Sequence, residues 1–437
     1  MDIIEQVRKG GVVGSGGAGF PTHVKIDAKV DTILANGAEC EPLLYSDQFV
    51  MTEWTSEVVD GLKFVMKSTG AKSGILCVKE KFASAIAEFE KILIGEEGIS
   101  IFKLGNFYPA GDEQILVNEV TGRIVPEGGI PLAVGIVVQN VGTLVNIARA
   151  VSGVAVIDRV VTVGGEVKRP GVYVVPIGTS IMDVIDRCGG STLDEYSILL
   201  NGPMMGKIID PEKEVITKTS GGVILLPKEH AYVRRVSRPL KADIRFSKGA
   251  CEQCRYCTDF CPRSLQGHAL EPHKIMRVIN EERNPESNTV TSAFLCCECG
   301  VCDLFACPLT LSPRRFYQEF KKNLSERGIK NPHSNSPEKV DVYREQRRVP
   351  KDRLTRRLGL SKYEVKPEYF PLRWDVRSVT IPLKMHLGAP ATATVKPGDK
   401  VKKGDLIGDI PEGLGALVHA SISGMVESVN GNVRIVK

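Results

Sequence analysis

CEQCRYCTDFCP at residues 251–262 and CCECGVCDLFACP at residues 296–308 are the stretches on which the reading of this chain turns. The first sets Cys251, Cys254, Cys257 and Cys261 at x2, x2 and x3 spacing, with Pro262 next. The second repeats the pattern through Cys296, Cys299, Cys302 and Cys307, with one extra residue before the last cysteine and Pro308 after it. Three thiolates this close in sequence can wrap one cubane while backbone N–H groups point at its sulfurs, and the fourth leaves after a longer step to ligate the other cluster. The spacing therefore predicts two [4Fe–4S] clusters bound crosswise. One takes Cys251, Cys254, Cys257 and Cys307; the other takes Cys296, Cys299, Cys302 and Cys261. Cys297 is spare on spacing grounds, although it could exchange with Cys296. Structural zinc is the competing reading, but zinc takes four ligands in pairs and gives no reason for two triplets each closed by Cys-Pro.

The rest of the composition agrees with an electron-transfer role and excludes others. Of 12 cysteines, eight form the two runs; Cys40, Cys77, Cys188 and one of the pair Cys296/Cys297 read as ordinary small apolar residues. The N-terminus, MDIIEQVRKGG, is charged throughout and has no apolar core of a signal peptide, so the cysteines read as metal ligands rather than disulfides. No stretch of about 18 apolar residues occurs, so no membrane span is expected. The longest apolar run, residues 131–138, fits a buried strand. A net charge of +5 is too weak to suggest nucleic acid. Lys248, Arg255, Arg263, Lys274, Arg314 and Arg315 lie near the cysteines in sequence. They read either as offsets to cluster charge, which would raise the potentials, or as surface charge.

At 437 residues the chain divides into several units. Residues 1–150 mix Gly-rich loops with strand and helix patterns. Residues 157–240 open on VVTVGGEVKRPGVYVV, short β-rich runs broken by Gly-Gly and Pro-Gly turns. A helix follows there: Ile181, Val184, Ile185 and Cys188 sit at i, i+3, i+4 and i+7, with Ser180 and Asp183 as a capping pair and Gly189 as its stop. Residues 245–325 hold the cysteine runs. Residues 326–375 are rich in Lys, Arg and Pro without clean periodicity and read as a solvated basic linker, or else as a docking surface for an acidic partner. Residues 376–437 return to short strands.

Near the N-terminus stands GSGGAGFPT, residues 14–22. Gly14, Gly16 and Gly19 form G-x-G-x-x-G, a weak dinucleotide signal alone, and Pro21 interrupts the place where a Rossmann helix would run. A glycine-dense loop still lets backbone N–H groups come close to a phosphate or a flavin ring; a plain tight turn is the alternative.

The stretch GSGGAGFPTHVK resembles the flavin loop of the NADH-oxidising flavoprotein subunit of respiratory complex I. NGAECEP at 36–42, YPAGDEQ at 108–114 and NVGT at 140–143 resemble that subunit's later flavin and NADH segments. The next 80 or so residues resemble its soluble-ligand-binding β-grasp (SLBB) domain. With the dicluster ferredoxin segment, the set is similar to the superfamily that joins the RnfC proteins and the microcompartment cobalamin reductases. The resemblance implies a multidomain α/β and α+β chain: an FMN domain, an SLBB domain, a ferredoxin segment and a C-terminal barrel-sandwich hybrid. It implies that Gly14, Gly16, Gly17, Lys25, Asn36, Glu39, Gly111, Glu113, Asn140 and Thr143 surround FMN. Phe20 and Glu41 would meet NADH. The chain departs from the complex I loop at Ser15, usually Arg, and at Ala38, usually acidic. Phosphate and ribose contacts from those side chains are not expected here.

Residues 386–429 resemble a biotinyl/lipoyl-type module, yet no lysine lies between Lys403 and Lys437 to carry a swinging cofactor. A structural or docking role is expected, with the basic linker letting the module reposition. Its place after the clusters matches the reductase order rather than the Rnf one. The expected function is NADH-dependent electron transfer through FMN and two [4Fe–4S] clusters. The implied partners are cobalamin, a corrinoid adenosyltransferase or another redox protein, in the cytoplasm, inside a microcompartment or peripheral at the inner membrane face. The alternatives are an electron-input component docked on a membrane complex and a non-catalytic iron–sulfur adaptor.

Overall fold

The computed structural model describes residues 2–278, 287–410 and 413–437. Its first unit is built on β1 (Thr32–Gly37), β2 (Ser73–Lys79), β3 (Ile99–Leu104), the short β4 (Phe107–Tyr108) and β5 (Ile136–Asn140). Four of these form a parallel sheet in the order β3-β2-β1-β5. The strands read as nearly continuous apolar runs because helices cover both faces, Thr55–Thr69 and Val141–Val151 among them. The apolar run at 131–138 is only half strand: residues 131–134 form a 3-10 turn that ends at Gly135, whose φ is +75°. From β1 the chain moves to β2 and β3 on one side, while β5 lies on the other. That reversal opens a crevice at the carboxyl ends of β1 and β5, the place where open α/β sheets bind ligands.

The second unit is a mixed sheet of β6 (Asp158–Gly165), β7 (Gly171–Pro176), β8 (Tyr196–Leu200), β9 (Lys207–Ile209) and β10 (Gly222–Pro227). The helix Ile181–Arg187 packs on it, with the Ser180 hydroxyl accepting from the Asp183 N–H at 3.0 Å and Gly189 following at φ +87°.

Residues 326–375 are not a solvated linker. β11 (Val349–Pro350) pairs with β4 of the first unit, and β12 (Glu368–Arg373) adds a parallel edge strand to β7 of the second. Phe370 stacks on Tyr173 at 4.6 Å, which covers the sheet edge. Arg344 and Arg348 converge on Glu119, a carboxylate only 10% exposed. These basic residues read as solvated charge in the sequence because their partner lies more than 200 positions away.

The C-terminal unit has two small sheets. One joins β13 (Ser378–Pro382), β15 (Lys400–Val401), β18 (Gly424–Val429) and β19 (Asn432–Val436). The other joins β14 (Thr392–Ala393), β16 (Leu406–Asp409) and β17 (Val418–His419). It is docked rather than free to reposition. The Leu387 N–H donates to Gly19 O at 3.1 Å, and Ser421 Oγ to Ile177 O at 2.6 Å. Buried Lys218 of the second unit donates to Gly11 O and Leu417 O, both at 2.6 Å, so one ammonium ties three units together.

The cysteine segment is clasped to the first unit. Arg263 donates to both oxygens of Asp112 at 2.8 and 2.9 Å, with the two side chains only 9% and 14% exposed. Asp112 also caps the helix Glu113–Thr121 through the Gln114 and Ile115 amides. Asp112→Ala leaves a buried guanidinium unpaired, so a loss of about 3–5 kcal/mol in denaturant unfolding is expected. Among the described residues no helix is long and apolar enough to cross a membrane.

Candidate functional site

The four glycine- and asparagine-bearing segments meet at the crevice above β1 and β5. The loop at 14–20 is closed by the Gly14 N–H donating to Phe20 O at 2.9 Å. The Ser15 N–H donates to Thr143 Oγ1 at 2.9 Å, which fixes the loop over the start of the helix Val141–Val151. A Cβ at Gly16 would stand 3.1 Å from Asn140 Nδ2, whereas one at Gly17 would meet nothing within 4 Å. Asn36, leaving β1, donates to Gly111 O at 2.9 Å and so joins the second and third segments. Lys25 and Glu113 pair at 2.6 Å on the rim. Gly14, Gly16, Gly17, Lys25, Asn36, Gly111, Glu113, Asn140 and Thr143 are thus brought together, and Phe20 lies at the loop surface, 37% exposed. A cradle that Cβ atoms would narrow, with backbone amides and an open Gly17 at its lip, fits a flat ring with a phosphate tail.

Two of the expected residues also have partners within the chain. Glu39 turns its carboxylate onto the Asp47 N–H at 2.7 Å and the Gln48 side chain at 2.9 Å, capping the helix Ser46–Glu53. Its role is to position Asp47, which accepts from Asn140 Nδ2 at 2.8 Å. Burial and the neighbouring Glu39 charge push the Asp47 carboxyl up to about 7.

Glu41, expected beside the nucleotide, accepts from the Met204 N–H at 3.0 Å and the Met205 N–H at 2.8 Å of the second unit. It is an interdomain clasp. Burial pushes its carboxyl up to about 7, against the pull of the two amides. The folded state then holds this proton more tightly than the unfolded chain, whose value is 4.5, so the stability Glu41 brings is full below about pH 4.5 and is lost as pH rises through about 7. Glu41→Gln is neutral at every pH but keeps one acceptor for the two amides, because the Met204 N–H goes to Oε2 and the Met205 N–H to Oε1. Thermal melts should lie about 1–3 kcal/mol below wild type near pH 4.5, where one N–H is left without an acceptor, and the deficit should shrink as pH rises through about 7 and wild type loses its own contribution. The KM for NADH should stay within about twofold, where a nucleotide contact would cost tenfold or more.

Other side chains at this site carry no signal in the sequence. Buried Arg159, from β6 of the second unit, donates to Ser15 O at 3.0 Å and Ser220 O at 2.7 Å, placing a guanidinium under the flavin-type loop. Lys79 at the end of β2 is fully buried, meets only Asn106 Oδ1 at 3.4 Å, and is pushed down to about 7 by burial. A lone Arg in a β-run and a Lys at a strand end are usually solvated, so neither stands out.

The cysteines line two separate cavities. Cys251, Cys254, Cys257 and Cys307 face one of about 270 Å³. Cys261, Cys296, Cys297, Cys299 and Cys302 face the other. The fourth cysteine of each run therefore sits with the other run's triplet. Left-handed backbone recurs at the same offsets in both runs: Gln253 and Arg255 at φ +53° and +69°, Glu298 and Gly300 at +59° and +78°. These turns bring polar hydrogens toward sulfur, as in the Glu298 N–H to Cys296 Sγ at 3.4 Å and the Gln253 Nε2–H to Cys251 Sγ at 3.2 Å. Since Glu298 repeats Gln253, Cys296 repeats Cys251, which leaves Cys297 outside the pattern. Among the described residues no three Cys, His, Asp or Glu side chains converge as a single metal ion would require. Four thiols around a cavity with amides turned to sulfur suit a cubane.

The second cavity adjoins the flavin-type site. Tyr108, in the third flavin segment, donates its hydroxyl to Cys299 O at 2.7 Å, and the Arg263–Asp112 clasp lies beside it. The first cavity faces outward, and Cys254 is exposed.

Comparison with known proteins agrees with this layout. Residues 7–149 match the Nuo51 FMN-binding domain family, 160–207 the SLBB domain, 250–312 the 4Fe-4S dicluster domain, and 374–435 the RnfC barrel sandwich hybrid domain. Cobalamin reductase PduS of Salmonella typhimurium is 40% identical over 98% of this chain and 95% of its own length, and that of Citrobacter freundii is 40% identical over 98% and 94%. The RnfC-type component of the Na(+)-translocating ferredoxin:NAD(+) oxidoreductase complex of Acetobacterium woodii is 36% identical over 60% of this chain and 58% of its own length. The chain is a multidomain flavin and iron–sulfur oxidoreductase.

Proposed function

The chain belongs to the PduS cobalamin reductase family, and on that premise we propose that it passes electrons from NADH through FMN and two [4Fe–4S] clusters to cobalamin. The observation that carries this reading is the meeting of four flavin-type segments at one crevice, with the second cysteine cavity joined to the third segment through Tyr108. When bound, FMN accepts the hydride of NADH and the clusters move its two electrons on singly, enough to take cob(III)alamin to cob(I)alamin.

The residues of the chain bind and orient. Gly14, Gly16 and Gly17 bring backbone against the flavin, while Asn36, Gly111, Asn140 and Thr143 hold the segments in register. Phe20, exposed at the loop surface, would meet the nicotinamide nucleotide. Cys251, Cys254, Cys257 and Cys307 hold the outward cluster; Cys261, Cys296, Cys299 and Cys302 hold the inward one. A corrinoid adenosyltransferase carrying the cobalamin is the proposed partner, in the cytoplasm or within a microcompartment. The Rnf-type alternative has less support, since those relatives align over 60% of the chain against 98%.

Anaerobic stopped-flow mixing with NADH tests the reading. Rapid bleaching of the flavin band, followed by cluster reduction, is expected. No bleaching at millimolar NADH in flavin-replete protein removes NADH from the pathway.

A further inference from the structure

The cluster cavities differ in setting. The inward one is enclosed against the flavin-type domain, whereas the outward one opens beside exposed Cys254. Exposed Pro308 and Leu309 line that opening, and exposed Tyr256 follows Arg255 in the loop that carries Cys254. The helix Leu240–Ala250 leads directly into Cys251, with Asp243 and Ser247 buried and Leu240, Ile244 and Ala250 packed on the same apolar cluster as Cys251 and Cys307. Lys241, Arg245 and Lys248 are exposed and fall at i, i+4 and i+7, so they share one outer face of that helix. Exposed Arg255 stands next to Cys254. Among the described residues none of these four cations has an ion-pair partner within 4 Å, though most other Lys and Arg near the cysteines, such as Arg263, Arg314, Arg315 and Lys321, are paired. Glu252 is the exposed acid set among them.

An apolar patch at a redox centre, rimmed by unpaired cations, has the form of a transient electron-transfer interface. Its charge selects the partner: the rim would repel a basic protein and steer an acidic one into register. We propose that this face, centred on Cys254, docks an acidic redox protein and is where electrons cross between the outward cluster and its partner. The proposal rests on the electron-transfer reading above and adds to it the exit and the chemistry of the partner. Each encounter moves one electron, from a cluster thiolate edge to the partner's one-electron centre. The pair released when NADH becomes NAD+ and a proton therefore leaves in two encounters, and the proton goes to solvent.

The test uses holoprotein and a small acidic [2Fe–2S] ferredoxin as probe, with basic cytochrome c as the control. Stopped-flow exchange with the ferredoxin should slow steeply as salt rises, and the combined variant Lys241→Glu/Arg245→Glu/Lys248→Glu should lower its bimolecular rate about tenfold or more. Exchange with cytochrome c should not fall in that variant. Leu309→Ala, which removes apolar contact and no charge, should weaken exchange without changing its salt dependence. NADH bleaching of the flavin does not use this face and should be unchanged, so its loss would indict the flavin reading and not the surface. Wild-type ferredoxin rates in the charge-reversed protein would overturn the proposal. So would a variant whose only defect is lost binding to phosphatidylserine vesicles, which would assign the face to a membrane.

Discussion

Cys254→Ser is expected to take anaerobically reconstituted protein from about eight irons to about four, with acid-labile sulfide falling in step. Cys254 is the middle thiol of the triplet that lines the outward cavity, and Gln253 and Arg255 on either side hold left-handed backbone so that the loop can wrap. A serine hydroxyl does not replace a thiolate at a soft iron site. The inward cavity shares no lining residue with the outward one, so its cluster should survive and still be reduced by NADH through the flavin. Delivery to an external acceptor should fall by an order of magnitude or more, since the exposed end of the chain of centres is gone. Cys297→Ser is the companion measurement. Cys297 faces the inward cavity but falls outside the backbone repeat, so both clusters should remain. Loss of the inward cluster from Cys297→Ser, with retention in Cys296→Ser, would reverse the assignment of those two residues. Tightly bound zinc without sulfide would remove the clusters from the account altogether.

Gly16→Val should give iron-replete protein without flavin. The Cβ position at Gly16 is 3.1 Å from Asn140 Nδ2 and 3.4 Å from its Cβ and Cγ, so even the first carbon of a side chain presses on the residue that caps the helix Val141–Val151. The two further carbons of valine must turn into the crevice or displace Asn140, which would break its bond to Asp47. Either way the space for a ring is lost, and the expected fall in flavin affinity is at least a hundredfold, about 3 kcal/mol. Iron content is the control, because the loop touches neither cysteine cavity. Gly17→Ala gives the contrast: nothing lies within 4 Å of its Cβ position, so a small effect there and a large one at Gly16 would separate a cofactor cradle from a plain turn. Full flavin occupancy in Gly16→Val would leave the loop as a turn.

Much of this molecule is legible in its amino-acid sequence. The cysteine triplets, the glycine loop and the helix after Ser180 rest on short-range rules, while the crosswise fourth ligand rests on the repeat of one cysteine pattern further along the chain. The pairing of Arg344 and Arg348 in the basic segment and the reach of Glu41 are not legible there, for one shared reason. Neighbours in sequence assign these side chains to solvent or to a ligand, and each has a partner far along the chain. Glu41 finds the amides of Met204 and Met205, 163 and 164 positions on. Arg348 finds Glu119 across 229 positions.

The amino-acid sequence by itself determined which groups can bind what. A chelate of thiolates within a few residues, or a loop whose backbone must come close to a cofactor, is specified by local spacing and by the absence of a Cβ; no distant segment is needed to read it. Only the tertiary structure decided which cluster faces the flavin and which faces outward. It alone showed that Arg159 of one domain lies under the loop of another, and that the C-terminal unit is fixed by Lys218 rather than tethered. Those are matters of burial and of charge satisfied at a distance. The energy of a buried charge depends on what surrounds it in space, and a linear sequence does not carry that surrounding.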